Sequence, residues 1–286
     1  MKCDEVVLIT GGGRGIGAAV AESFARAGSN LALVSRTAAE IEGVAAACRS
    51  HGVAALACRA DVSRREEIAG AVQAAEKHFG RIDVLVNAAG VYGPIGPLVE
   101  NDLDAWASAV SVNLLGTVYA MHAALPGMIA RRKGTVINFS GGGAVTPFPR
   151  FSAYSASKAA VVRLTETIAE EVREFDVRVN AIAPGAVNTI LLDEVLKAGE
   201  RAGAEFYRKA LEQKKTGGTP PERAAELAVF LASPEARGIT GRLISAVWDD
   251  WRALAARTQD LDQSALYTMR RIDGRNFTET RAAAAR

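Results

Sequence analysis

The stretch Glu5-Val6-Val7-Leu8-Ile9-Thr10-Gly11-Gly12-Gly13-Arg14-Gly15-Ile16-Gly17 decides how the rest of the chain is read. Its first half is an aliphatic, β-branched run, the pattern of a parallel strand buried on both faces. Glycines follow with no linker, and an alanine-rich helical stretch then continues to Ala27 and stops at Gly28. In that setting a glycine cluster points to dinucleotide binding. Glycine permits the tight turn, and backbone N–H groups at the helix N-terminus face a pyrophosphate. The spacing of Gly11, Gly15 and Gly17 is G-x-x-x-G-x-G, not the commoner G-x-G-x-x-G. A merely flexible turn would not need the flanking strand and helix.

The same alternation runs outward from this point. A strand at 31–34 ends in Ser35-Arg36-Thr37, where an acidic residue would bind the ribose 2′-hydroxyl of NAD. No acid stands there. Arg36 does, and Arg14 lies in the glycine turn, so two guanidiniums are available for a 2′-phosphate, which favours NADP(H). A helix at 38–50, a strand at 54–58 and Asp61-Val62 come next. Asp61 could accept from an adenine amino group or simply cap the following helix at 66–79. A strand at 82–86 opens into Asn87-Ala88-Ala89-Gly90, whose small side chains let a planar ring approach backbone.

Beyond the loop at 92–97, a long helix is expected over 103–130 with Asn113 inside it, an ill-suited residue for a helix interior. A strand at 135–139 ends at Ser140 and three glycines. Another at 177–182 opens into the rigid turn Pro184-Gly185-Ala186-Val187-Asn188-Thr189. Residues 190–216 are polar, of mixed charge and helix-prone, which suits a lid. A helix then runs through Leu231, and 239–245 forms the last strand. Strands alternating with helices give an α/β fold: one Rossmann-type, doubly wound parallel sheet with helices on both faces.

Composition sets outer bounds. The chain has 286 residues, is 49% hydrophobic and carries a net charge of +2, with no like-charge block that would call for nucleic acid. A strand begins within the first ten residues, leaving no room for a signal peptide, and no run of 18 apolar residues suggests a membrane span. Cys3, Cys48 and Cys58 are odd in number and lack metal-ligand spacing, so no metal is expected and the thiols read as reduced, in a soluble cytoplasmic protein.

The chemistry is concentrated in Phe151-Ser152-Ala153-Tyr154-Ser155-Ala156-Ser157-Lys158, which leads into an apolar helical pattern. Tyr154 and Lys158 are four apart and share a helix face. A cation beside a phenol favours the phenolate and lowers a pKa that is otherwise about 10. With the glycine turn, the Asn87–Gly90 turn, Asn113, Ser140 and the Pro-Gly turn in this order, the chain resembles the short-chain dehydrogenase/reductase family over 4–246. The resemblance implies that Tyr154 exchanges a proton with the substrate oxygen. It implies that Lys158 tunes Tyr154 and binds the nicotinamide ribose, that Ser140 stabilises developing charge, and that Asn113 holds a relay water.

The resemblance further implies a cofactor surface running from Gly11, Arg14, Gly15, Ile16 and Gly17 through Ser35, Arg36, Asp61 and Val62. It continues over Asn87, Ala88 and Gly90 to Tyr154 and Lys158, then Pro184, Gly185, Val187 and Thr189, which contacts the carboxamide.

Two departures stand out. Many family members place the serine thirteen residues before the tyrosine; here that residue is Gly141, and Ser140 lies one position earlier, with Ser152 a weaker substitute. Residues 247–286 extend past the last strand with Trp248, Trp251, Tyr267, Arg270, Arg271 and Phe277, a segment expected to pack on the domain or a neighbouring subunit, its end at 282–286 loose. The expected activity is NADPH-dependent reduction of a small-molecule ketone. A polar keto-sugar is favoured by a lid poor in large apolar residues, a 3-oxoacyl thioester is the alternative, and a non-catalytic NADP(H) sensor is the rival of another class. A homodimer or homotetramer built on the helices around Asn113 and Tyr154 completes the expectation.

Overall fold

The computed structural model describes residues 4–272. Seven strands, β1 (Val6–Thr10), β2 (Asn30–Ser35), β3 (Ala55–Arg59), β4 (Val84–Asn87), β5 (Gly134–Phe139), β6 (Val177–Ala183) and β7 (Leu243–Ser245), form one sheet in the order β3-β2-β1-β4-β5-β6-β7. Every pairing is parallel, with Ile9 opposite Leu33 on one side and Val86 on the other. The direction of winding reverses between β1 and β4, so a crevice opens there beyond the carboxyl ends of the strands.

Alternation along each strand builds two cores. Val7, Ile9, Leu31, Leu33, Val84 and Val86 face one side. There they meet helices α1 (Gly15–Arg26) and α2 (Ala38–Arg49). Leu8, Ala32, Val34 and Leu85 face the other side. That side is covered by α3 (Arg65–Phe79), the long helix 103–131 and a helix that carries Val161 and Val162.

The long helix is interrupted. It consists of α4 (Leu103–Val110), a widened π turn (Ser111–Leu115) and α5 (Gly116–Arg131). Asn113 sits in that turn, where the regular backbone hydrogen-bond ladder is broken, so its poor helix propensity costs little. Its length and mean hydropathy would suffice to cross a bilayer, but Ala120, Met121, Ala124 and Met128 are packed into the second core. The helix α6 (Ser152–Glu171) carries Tyr154 and Lys158.

The polar stretch 190–216 folds as α7 (Ile190–Ala198) and α8 (Ala204–Thr216), separated by glycines with positive φ, Gly199 (59°) and Gly203 (93°). Helix α9 (Pro221–Ala232) then packs against α1. The last strand is shorter than 239–245: Gly238 and Gly241 take positive φ, and Gly241 donates to the Val179 carbonyl at the start of the pairing, leaving three residues in β7.

The extension folds back on its own domain. After the short turn Trp251–Arg257 and α10 (Thr258–Asp262), Trp251, Leu254 and Leu261 complete the first core. The buried Arg242 donates to the carbonyls of Leu261, Ser264 and Leu266, while Glu166 accepts from the Met269 N–H and from Arg270. Beyond the outer edge of β7, the Leu243 N–H donates to the Tyr267 carbonyl. Cys3, Phe277 and residues 282–286 lie outside the described residues.

Candidate active site

The glycine turn is shaped by close approach. A side chain on Gly17 would strike the Gly11 carbonyl oxygen at 2.1 Å, and one on Gly11, whose φ is +69°, would strike the Ala89 nitrogen at 2.7 Å. Helix α1 therefore starts tight against the ends of β1 and β4, and the N–H groups of its first turn, which have no acceptor within the helix, open on a cleft of about 450 Å³. Gly11, Arg14, Gly15, Ile16, Gly17, Ser35, Arg36, Asp61, Val62, Ala88, Gly90 and Thr189 all line this cleft. Asn87, Tyr154, Lys158, Pro184, Gly185 and Val187 do not.

The reasons are local. The Asn87 side chain turns into the sheet, donating to Asn138 at 2.9 Å, so it offers the cleft only backbone. Gly185 packs on Val247, 2.5 Å from where its side chain would stand, and Val187 bridges to Gly218 and Thr219. Thr189 caps α7 by accepting from the Leu191 N–H, which ties the first lid helix to the wall opposite Gly15. Asp61 lines the cleft but does not cap the following helix: α3 starts at Arg65 after the N-cap Arg64, and Asp61 Oδ1 accepts instead from the Ser63 N–H and hydroxyl in the turn before it. Partial burial works against the charge of Asp61, but these two bonds together with the nearby Arg36 and Arg64 outweigh it and hold the carboxyl below its usual range.

Three charges lining the cleft, Glu40, Asp193 and Lys214, were not read as site residues from the sequence. Glu40, in the first turn of α2, lines the same wall and pairs with Arg14 at 3.4 Å. Its place there is set by the turn between β2 and α2, a tertiary matter that spacing alone does not show. Two buried polar atoms at the carboxyl edge of the sheet, Asn87 Oδ1 and Ser140 Oγ, have no hydrogen-bond partner in the described structure. Free helix N–H groups and a cradle of small residues, where a Cβ on Gly11 or Gly17 would collide with backbone, together fit a nicotinamide dinucleotide laid along this cleft.

Asn113, Lys158 and Gly90 meet at the cleft's inner end. A side chain on Gly90 would lie 3.4 Å from both Asn113 Oδ1 and Lys158 Nζ. Asn113 is fully buried, and its amide clamps the loop: Oδ1 accepts from the Val91 N–H, while Nδ2 donates to the Val91 carbonyl and to Ser157 Oγ. Lys158 Nζ donates to the Phe139 carbonyl at 2.7 Å and lies 5.7 Å from the Tyr154 ring.

The expected lowering of the tyrosine pKa does not appear in this closed site. Burial pushes the Tyr154 phenol well above its usual value, with Tyr92 adding to the effect, and the same burial pushes Lys158 down to about 8.

The position thirteen residues before the tyrosine is occupied in an unexpected way. A side chain on Gly141 would stand 2.0 Å from the Tyr154 hydroxyl, so the phenol fills the space a serine would need. Ser140 is buried with its hydroxyl unpaired, whereas Ser152 Oγ is taken by Trp106 Nε1 at 3.1 Å. Of the two serines weighed from the sequence, only Ser140 has a hydroxyl with no hydrogen-bond partner.

Above Tyr154 the lid is not polar on its inner side. Leu192, Val195, Leu196, Ala202, Phe206 and Ala210 pack with Tyr92, Phe148 and Phe151 into a third apolar cluster. The exposed faces of α7 and α8 carry the mixed charge that dominates their composition. Glu194 is the exception, half-buried and accepting from the Tyr92 N–H, and burial pushes its carboxyl up.

The pattern that defines the short chain dehydrogenases matches residues 5–199. A curated relative, 2-(S)-hydroxypropyl-CoM dehydrogenase 3 of Xanthobacter autotrophicus, is 38% identical over 240 residues, covering 83% of this chain and 93% of its own. A solved NAD+-bound xylitol dehydrogenase superposes with a TM-score of 0.79 at 28% identity, over 85% of this chain and 98% of that one. An actinorhodin polyketide ketoreductase with NADPH does so with 0.78 at 27% identity, over 86% and 97%. The chain therefore belongs to the short chain dehydrogenase family. It is an oxidoreductase of alcohol and carbonyl groups that uses a nicotinamide cofactor.

Proposed function

We propose that the protein is an NADPH-dependent ketone reductase. The observation that carries the reading is the meeting of Lys158 and Asn113 at Gly90, on the wall of the glycine-lined cleft, with Lys158 Nζ 5.7 Å from the centre of the Tyr154 ring. When bound, the cofactor supplies the hydride that the carbonyl carbon receives. Everything else falls to the chain. The Tyr154 hydroxyl gives its proton to the carbonyl oxygen, and a phenol held protonated by burial is ready for that direction. Ser140, whose hydroxyl has no other partner, donates to the same oxygen as charge develops. Lys158 holds the positive charge that recharges the phenol, and Asn113 fixes the loop that shapes the inner wall.

The NADP(H) preference rests on Arg14 and Arg36 in the cleft, with Glu40 as a counterweight that the 2′-phosphate must draw away from Arg14. The apolar helix 103–131 exposes Leu103 and Leu115, and we assign to it the contact between copies in a homodimer or homotetramer. The test is a fluorescence titration with NADPH and NADH, followed by turnover on a ketone panel. Wild type should prefer NADPH, Arg36→Asp should shift preference to NADH, and Tyr154→Phe should bind nucleotide normally but lose turnover by at least about 100-fold. Failure to bind either nucleotide would overturn the cleft assignment, and undiminished turnover by Tyr154→Phe would overturn the proton donor.

A further inference from the structure

The third apolar cluster stands apart from the two cores that hold the sheet together, and its contents are unusual for a lid of such polar composition. The rings of Phe148 and Phe151 stack at 4.2 Å and 7°. Phe206, from α8, presses edge-on against both, at 4.9 and 5.2 Å. Tyr92 packs edge-on against Phe151 at 5.0 Å and Tyr154 at 4.7 Å. An unbroken chain of rings thus leads from the lid to the proton donor.

While this chain is closed, Tyr154 is 7% exposed and its hydroxyl faces Gly141, so no carbonyl can reach it. The lid must lift. Its second helix is lightly held: only Ala210 of α8 is fully buried, and Gln213 donates to the Ala186 carbonyl at the surface. Arg201 just before α8 forms an exposed pair with Glu100, and Lys214 pairs with Asp193 of α7 inside the lid. When α8 moves, Phe206 leaves the side of the stacked Phe148–Phe151 pair, where it stands nearly perpendicular to both rings. What replaces it must present a flat apolar face, because these rings offer a hydroxyl-rich ligand no hydrogen-bond partners.

We propose that Phe148 and Phe151 seat the ring of a cyclic, ring-bearing ketone, and that Phe206 occupies that seat when substrate is absent. The proposal rests on the reductase reading and names its substrate class. The chemistry is the one given above: the carbonyl carbon gains a hydride, the oxygen gains the Tyr154 proton, and a secondary alcohol leaves.

The experiment compares 2-tetralone with 2-octanone, using wild type, Phe148→Leu and Phe206→Ala, each first checked for NADPH binding and thermal melting. Wild type should favour tetralone in kcat/KM, and Phe148→Leu should lower that preference about three- to tenfold, the worth of a lost aromatic pair. Phe206→Ala should lower the KM for tetralone by removing the internal competitor. An unchanged ratio in Phe148→Leu, or a wild-type preference for octanone, would overturn the seat. Binding of the fluorescent alcohol 2-naphthol in the presence of NADP+ supplies a readout free of turnover. If neither ketone reacts but naphthol binding weakens about three- to tenfold in Phe148→Leu, the seat stands and the reductase reading falls. If naphthol does not bind wild type, the seat falls whatever the turnover.

Discussion

At Gly141 a missing side chain does the positioning. The Tyr154 hydroxyl occupies the volume of a Cβ at this residue, so any substitution must push the phenol aside. Gly141→Ala should therefore leave nucleotide affinity unchanged while turnover falls about 100-fold, the scale on which a 1 Å misplacement of a reacting group acts. Lys158 offers a second test. Its folded pKa is about 8 against 10.5 unperturbed, so between those values the unfolded chain binds more protons than the native one, and stability from this group rises with pH across that window. Below about 8 the charge is buried at a cost; above it the native lysine sheds its proton. Urea denaturation of wild type and Lys158→Met from pH 7 to 10.5 should show wild type gaining on the variant as pH rises, while its turnover declines as the charge is lost. Position 141 was legible in the sequence only as a departure; that the phenol itself fills the gap depends on how α6 is set against the end of β5.

Among the elements, the π turn at Ser111–Leu115 links the long helix to the site. It lets Asn113 reach the Val91 backbone with both amide atoms and Ser157 with a third bond. Asn113→Ala would strand the Val91 N–H and carbonyl in a buried setting. The expected cost is about 2 kcal/mol in urea unfolding, with a raised Kd for NADPH because the adjoining Gly90 wall loosens. The sequence announced Asn113 as a misfit in a helical pattern, and that hint was sound. The widened turn was not readable, because apart from Asn113 nothing in Ser111–Leu115 marks a break and the Val91 backbone that Asn113 bonds is distant in sequence. The lid was misjudged for a related reason. Its net composition is polar, yet Leu192, Val195 and Leu196 of α7 and the single Phe206 of α8 suffice when Phe148 and Phe151 wait on the loop below.

For the molecule as a whole, the strand and helix order was legible from the two hydrophobic periodicities, since each strand alternates between the two cores and each helix carries one apolar stripe. The extension was not, because its anchors are scattered: Trp251, Leu254 and Leu261 join a core begun two hundred residues earlier, and Arg242 gathers three carbonyls of the returning chain. Arg242→Leu should lower stability by about 3 kcal/mol, read as a shifted urea midpoint, with nucleotide binding intact in the folded fraction.

The contact between Leu243 and Tyr267 has a wider consequence. A parallel sheet ends in a row of unused amide and carbonyl groups, and such a row is a template on which another chain can extend the sheet. Here β7 is only three residues long and its own polypeptide lies along the outer edge, so one of the two places where strands could add without limit is blunted. The described part of the segment past residue 246 covers that edge as well as completing the core, and the opposite border at β3 is left as the more open flank.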